Sequence, residues 1–184
     1  MRYDWLVDMV SRAQDYETAR NSISLSFDVS PPALLRDIDD CEALLGVHLP
    51  PSYKDFLRTW NGFTFIRYDH TDDSCKVPNT AHVFGTEMLL TEAIAWKKER
   101  RGGYEYFLQF MFLNEGDMLF DRRSMSEDGE YPVVNVEWES DMIAPSFEEW
   151  LKGFFTRISA ILTIARWLDC CKSERGPHRP LAPP

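Results

Sequence analysis

Apolar residues recur every three or four positions in several parts of the chain, with polar residues between them. This spacing places the apolar side chains on one face of a helix. Together with helix start and stop signals, it predicts five helices. They are expected over about residues 4–16, 31–45, 51–60, 92–101 and 146–168.

Elsewhere apolar and polar residues alternate, or apolar residues run together, as is typical of strands. Strands are predicted at about residues 23–29, 63–68, 104–113, 118–121 and 131–138. Turn-forming sequences separate the last three, so consecutive strands are expected to pair antiparallel. The sequence therefore predicts an α+β fold, in which an antiparallel sheet is flanked by helices.

Three helix starts are indicated by residues whose side-chain oxygens can accept hydrogen bonds from free backbone N–H groups. Ser30 precedes Pro31, and a proline favours the first position of a helix. Thr91 and Ser146 are candidates for the same capping role in two later helices. Glu149 lies three residues after Ser146, as a capping box requires.

The helix predicted at 51–60 carries Tyr53, Phe56, Leu57 and Trp60 at spacings of three and four residues. These positions share one face, and such a face usually contacts the core. We therefore interpret the four side chains as core residues and not as a partner groove.

One domain is expected over residues 1–175, since a chain of 184 residues can bury a substantial core. It would end in a long C-terminal helix with a break near Gly153. Residues 176–184 include four prolines and are expected to be disordered.

Acidic residues are concentrated in one part of the chain, whose formal net charge is −10. Residues 114–149 contain eleven acidic residues and two basic ones, Arg122 and Arg123, so they carry −9 and the rest carries −1. Binding to nucleic acid requires clustered Lys and Arg. The distribution therefore disfavours nucleic acid and favours a basic protein partner. The alternative interpretation is a solvated surface without a partner.

A cytoplasmic location is expected, without membrane contact. The best apolar run, 158–165, is far shorter than the roughly 20 residues that a membrane span needs, and the N-terminus lacks the apolar core of a secretion signal. Cys41, Cys75, Cys170 and Cys171 form no C-x-x-C motif. We expect free thiols, with Cys41 on a buried helix face.

An ordered set of short motifs occupies residues 42–62. It consists of Glu42, Leu45-Gly46, Leu49-Pro50, Tyr53, Phe56-Leu57 and Asn61-Gly62. This set resembles the signature of the SUKH superfamily, whose members include fungal cell-wall regulators and bacterial toxin-immunity proteins. A looser similarity follows at 116–121, 131–134 and 146–151, so the resemblance spans about residues 31–155.

The resemblance implies an antiparallel sheet with helices at its sides, and a protein that binds other proteins. The helix beyond Gly153 is longer than the usual ending of these domains. The long disordered arms of the fungal regulators have no counterpart here. The chain is therefore more similar to the compact bacterial immunity proteins.

No pattern of residues supports catalysis. Glu115 and Asp117 could form an acid–base pair, but in a turn both would be hydrated and have ordinary pKa values. His70 and Cys75 lie among aspartates without the spacing of zinc or calcium ligands. Phosphate-binding loops and hydrolase motifs are absent. We predict that the protein is not an enzyme and has no cofactor or metal ion.

These observations predict an immunity protein that neutralises a cognate, basic toxin, such as a nuclease, through an acidic face. Trp138 or Tyr131 would supply exposed aromatic anchors. The alternatives are a non-catalytic regulatory scaffold of the same fold that binds several cellular proteins, and a hydrolase with a polar cleft. The predicted partner-binding residues are Glu115, Asp117, Asp121, Glu127, Asp128, Glu130, Glu137, Trp138, Glu139 and Asp141.

Overall fold

A computed structural model of the protein describes residues 3–17, 23–69, 79–99, 105–113, 116–135 and 142–158. The described helices are α1 (Asp4–Glu17), α2 (Leu35–Leu45), α3 (Pro51–Leu57), α4 (Thr86–Glu99) and α5, which covers 147–158. The described strands are β1 (Ile23–Val29), β2 (Phe63–Asp69), β3 (Asn79–Val83), β4 (Phe107–Leu113), β5 (Met118–Asp121), β6 (Val133–Asn135) and β7 (Met142–Ala144).

The strands form one antiparallel sheet whose spatial order, β1 to β7, is the order along the chain. Each strand pairs with its sequence neighbours; Phe27 lies opposite Phe65, and Phe65 lies opposite Ala81. These three side chains are buried. The predicted α+β fold with an antiparallel sheet and flanking helices is therefore confirmed.

An aromatic core lies between the sheet and the helices. Tyr53 and Phe56 of α3 are fully buried and contact the ring of Phe147 in α5 at centroid distances of 4.9 and 5.1 Å. Phe110 of β4 stacks on Phe120 of β5 at 4.3 Å. Burying one large apolar side chain contributes about 1.5–3 kcal/mol, so this cluster is a main source of stability. The interpretation of Tyr53, Phe56 and Leu57 as core residues is confirmed, but α3 ends at Leu57 and leaves Trp60 outside the helix and only partly buried.

Helix α2 begins at Leu35 and not directly after Ser30. The Ser30 N–H donates to the carbonyl of Gly62 (3.1 Å), and the Ala33 N–H donates to the carbonyl of Leu57 (2.9 Å). The segment 30–33 is thereby held against the end of α3 before the helix can start. The prediction that Ser30 caps this helix is wrong, because a contact distant in sequence determines the backbone path.

Helix α4 begins at Thr86, several residues before the predicted start. Its first N–H group, that of Thr86, donates to the side-chain oxygen of Asn61 (2.8 Å). Thr91, the predicted cap, lies inside the helix and donates its hydroxyl to the carbonyl of Glu87 (3.0 Å). The cap comes from 25 positions earlier in the chain, which a local sequence pattern cannot reveal.

The start of α5 agrees with the sequence, since the Ser146 hydroxyl accepts the N–H of Glu149 (3.2 Å). The Glu149 carboxylate, however, contacts Lys152 (3.1 Å). The helix also continues through Gly153, where a break was expected.

Other expectations concern residues 70–78 and 159–184, which lie outside the described residues. These expectations are the possible metal-binding loop around His70 and Cys75, the part of the C-terminal helix beyond residue 158, and the proline-rich tail. The free thiols expected at Cys75, Cys170 and Cys171 also lie outside the described residues.

Candidate partner-binding surface

The structure describes half of the residues that we predicted to bind a partner. Glu115, Glu137, Trp138, Glu139 and Asp141 lie outside the described residues. The others lie beside or within β5 and in the β5–β6 turn, residues 122–132. These are Asp117, Asp121, Glu127, Asp128 and Glu130.

Asp121 is engaged within the protein. Its side chain is 12 % exposed and accepts hydrogen bonds from the Arg123 guanidinium at 2.7 and 2.9 Å. This hydrogen-bonded guanidinium lowers the pKa of Asp121. Arg123 also lies 4.8 Å above the ring of Phe107, a favourable position for a cation. Asp117 is partly buried and also interacts within the protein.

Glu130 joins the β5–β6 turn to α3. Its carboxylate accepts the backbone N–H of Ser52 at 2.8 Å and the Ser52 hydroxyl at 2.6 Å. Ser52 lies in the first turn of α3. A carboxylate at a helix N-terminus satisfies free N–H groups and opposes the positive end of the helix dipole.

The tip of the β5–β6 turn is exposed. Ser126 and Glu130 close it, because the Ser126 N–H donates to the Glu130 carbonyl (2.9 Å) and the Glu130 N–H donates to the Ser126 hydroxyl (3.0 Å). Glu127, Asp128 and Met125, which is 64 % exposed, project from this closed turn. Tyr131 is buried, so its predicted role as an exposed anchor is wrong.

A cleft of about 600 Å³ lies at one end of strands β1, β2 and β3. We call it the α2–α4 cleft. Residues 30–33 form one wall, and the first turns of α4, residues 87–92, form the other. The sheet contributes Asp28, Thr64 and His82, which are cross-strand neighbours. The Thr64 hydroxyl lies 2.8 Å from Nε2 of His82.

Four carboxylates line this cleft, and the described lining contains no lysine or arginine. They belong to Asp28 of β1, Asp37 of α2, and Glu87 and Glu92 of α4. Asp37 accepts the N–H of Leu34 (3.3 Å) and lies near Arg36. Sequence reasoning missed this group, since its members are far apart in the chain. Only the strand register and the early start of α4 bring them together.

The base of the cleft is closely packed. The Asn61 amide donates to the Thr86 hydroxyl (3.2 Å) and accepts the Thr86 N–H. Gly62 has a φ of +94°, and a Cβ atom there would lie 2.6 Å from the backbone nitrogen of Gly85. Only glycine fits this position without moving the backbone, so Gly62 and Gly85 pack in direct backbone contact at the base of the cleft.

Two buried titratable groups near α2 and α3 retain their protons at neutral pH. Burial, and then the charge of Glu42, raise the pKa of Cys41 to about 11. Burial also raises the pKa of Tyr53, whose hydroxyl donates to the Phe84 carbonyl (2.6 Å). Neither group therefore has the lowered pKa of an activated nucleophile.

The described residues contain neither a metal-binding cluster nor a helix suited to a membrane. In this part of the chain, no group of three or more His, Cys, Asp or Glu side chains is placed to hold a metal ion. None of the helices within the described ranges combines the length and the apolar character that crossing a bilayer demands.

A family model, SMI1 / KNR4 family (SUKH-1), matches residues 32–153, which is well over half of the chain. The chain belongs to the SUKH-1 family. The SUKH resemblance of the sequence is thereby confirmed. No curated protein matches the chain significantly.

The glutamate of the SUKH-1 signature connects α2 to α3. One carboxylate oxygen of Glu42 accepts the N–H of Leu49 at 2.6 Å and contacts Nζ of Lys54 at 3.1 Å. The Glu42 carbonyl accepts the N–H of Gly46, which ends α2 with a φ of +68°. Glu42 therefore determines the turn between the two helices.

The other signature residues of the SUKH-1 domain are also structural. Leu49, Tyr53, Phe56 and Leu57 are buried in the core. Asn61 provides the cap of α4, as described above. The signature thus specifies the α2–α3 turn, the core face of α3 and the junction with α4.

The SUKH-1 match begins after α1 and β1, which pack onto the domain. The hydroxyl of Tyr3 donates to the Ser52 carbonyl at 2.7 Å. The Phe27 ring lies 4.8 Å from that of Phe65 and 5.8 Å from that of Phe155. Tyr3 and Phe27 therefore join α1 and β1 to the core of the SUKH-1 domain.

Proposed function

We propose that this SUKH-1 protein is an immunity protein that binds a cognate, basic protein toxin and blocks it without catalysis. The observation that carries this proposal is the family match over residues 32–153. Because the signature residues serve the fold, residues outside the signature would contact the partner in this proposal.

The charge of the protein supports a basic partner. The net charge of −10 raises the rate of encounter with a positively charged protein, and complementary charges restrict the orientations in which the two can dock. A nuclease fits this chemistry, because its active cleft must attract phosphate groups with lysine and arginine. The immunity protein would then compete with the substrate by occupying the same positive surface.

The acidic stretch 114–149 contributes to this attraction in the proposal. Glu127 and Asp128 are exposed on a closed turn and need little reordering on binding. Glu115, Glu137, Trp138, Glu139 and Asp141 remain predicted partner-binding residues. Asp121 and Glu130 are less suited to direct contact, because their charges are used by Arg123 and by the start of α3.

Co-expression with the products of neighbouring genes tests the proposal. One such product alone should arrest bacterial growth, and this protein should restore growth and form a complex of defined stoichiometry with it. Addition of salt should slow association more than it speeds dissociation. If no neighbouring product is toxic, and the protein instead binds several non-toxic proteins, the regulatory scaffold is the correct function.

A further inference from the structure

The α2–α4 cleft has the charge and shape of a receptor for a cationic side chain. We propose that it binds an arginine or lysine from an extended segment of the partner, an inference that rests on the proposed function. The position is unexpected from the sequence. None of its four carboxylates belongs to the acidic stretch 114–149.

Three of the four carboxylates are available for a partner. Within the described residues, Asp28, Glu87 and Glu92 make no ion pair. Asp37 is only partly engaged, by the Leu34 N–H and by an exposed contact with Arg36. Four negative charges on the walls of a concavity reinforce one another, because the low-dielectric walls concentrate the field within it. Such a site favours a cation.

The spread of these carboxylates distinguishes a side chain from a metal ion. They come from β1, α2 and α4, and no described group of them is close enough to hold a metal. A guanidinium group spreads its charge over a plane with five N–H donors, so it can contact separated acceptors. Arginine is therefore the better match, with lysine second.

The cleft also offers surface for the aliphatic part of the side chain. Met88 lines it and is 39 % exposed. Phe112 lies opposite His82 on β4, is 49 % exposed, and extends apolar surface across the sheet. Lysine and arginine place their methylene groups against such surface while the charged end contacts acids. A volume of about 600 Å³ accommodates one such side chain with parts of its neighbours.

Nuclear magnetic resonance (NMR) titration with a small probe tests the cleft without the toxin. The probe is a blocked Ala-Arg-Ala-Arg-Ala peptide, and its control contains citrulline, the uncharged analogue, in place of arginine. The arginine peptide should shift the backbone amides of Thr64, His82 and Met88. The citrulline peptide should bind about tenfold more weakly, because the ion pairs are lost.

Two charge-matched variants locate the binding. E87Q/E92Q removes two carboxylates from the cleft, and E127Q/D128N removes two from the β5–β6 turn. The first should weaken peptide binding about five- to tenfold, and the second less than twofold. Circular dichroism and thermal unfolding confirm that both variants fold.

The proposed binding position and the proposed immunity function are contradicted by different results. Amide shifts confined to residues 125–130, or equal effects of the two variants, would overturn the cleft as the binding position. E87Q/E92Q protein that still protects cells from the toxin as well as wild type would overturn it too, while the immunity function stands. Failure of the wild-type protein to protect cells would contradict the immunity function. The peptide titration would still show whether the cleft binds a cationic side chain.

Discussion

Asn61 connects two parts of the fold with one side chain. Its amide oxygen accepts the Thr86 N–H at 2.8 Å, and its amide nitrogen donates to the Thr86 hydroxyl at 3.2 Å. The residue therefore replaces a local cap at the start of α4. Because α4 carries Glu87 and Glu92, Asn61 also determines where these carboxylates stand in the cleft.

Replacing Asn61 tests this role. Asn61→Ala should lower the free energy of unfolding by about 1–2 kcal/mol, because the start of α4 loses its cap. Asn61→Asp should retain most of the stability, since an aspartate oxygen can accept the same N–H. Urea unfolding of both variants measures the difference. Equal losses would show that the cap contributes little.

The sequence indicates Asn61-Gly62 as a helix stop, but not as a cap for another helix. The helix instead ends at Leu57, with Arg58 in a right-handed helical conformation, and Gly62 adopts its φ of +94° four residues after Arg58. The cap depends on the approach of Gly85 and Thr86, which pack against Asn61 only in the folded chain. The local pattern thus misplaces the end of α3 and does not reveal the partner of Asn61.

Helix α3 is short and is held by contacts from other elements. Glu130 binds the N–H and hydroxyl of Ser52 at its start, and Tyr3 donates to the Ser52 carbonyl. The Tyr53 hydroxyl donates to the carbonyl of Phe84. A helix of two turns is marginal by itself, so these contacts and core burial keep it formed.

Two glutamates of the same turn provide a matched test. Glu130→Ala should lower the free energy of unfolding by about 1–2 kcal/mol, because two hydrogen bonds to a carboxylate are lost. Glu127→Ala, at the exposed tip, should change it by less than about 0.5 kcal/mol. Urea unfolding measures both values. A comparable effect of the two substitutions would mean that Glu130 is not a structural carboxylate.

Elements with strong local patterns were predictable. Helix α1 and strands β1 and β5 follow directly from their spacing of apolar residues. The starts of α2 and α4 were wrong, since contacts with residues 57–62 determine them. Strands β3 and β7 were not predicted. Strand β3 has only two apolar residues, Ala81 and Val83, and β7 consists of three residues followed directly by Pro145.

At the scale of the whole molecule, the N-terminal segment completes a core that the family match does not include. Tyr3, Leu6, Val10 and Phe27 are buried. At about 1.5–3 kcal/mol for each side chain, their burial is comparable with the roughly 5–15 kcal/mol net stability of a typical domain. Residues 1–29 should therefore be indispensable to the fold.

Removal of residues 1–29 should abolish the cooperative unfolding transition, as followed by circular dichroism and differential scanning calorimetry. A milder pair of substitutions tests the same packing in the full chain. Leu6→Ala should lower the free energy of unfolding by about 2–5 kcal/mol, because it leaves a cavity. Val7→Ala, at the exposed neighbour, should change it by less than about 0.5 kcal/mol. A stable, cooperative truncated protein would contradict this account.

Charge is also a property of the whole molecule that the sequence reveals only in part. The excess of acids at 114–149 is visible in a count, but Asp121 and Glu130 prove to be engaged within the protein. The carboxylates of the α2–α4 cleft come from β1, α2 and α4, outside this stretch. Their convergence depends on strand register and helix position, which cannot be predicted from the amino-acid composition.

The sequential order of the strands has a consequence for biosynthesis. Each hairpin of the sheet can close soon after its second strand leaves the ribosome, since its partner has already been made. Phe147 and Trp150, by contrast, belong to the last described helix and complete the aromatic core late. We expect nascent chains that end before residue 147 to display paired strands with uncovered rings, and hence to be substrates for chaperones.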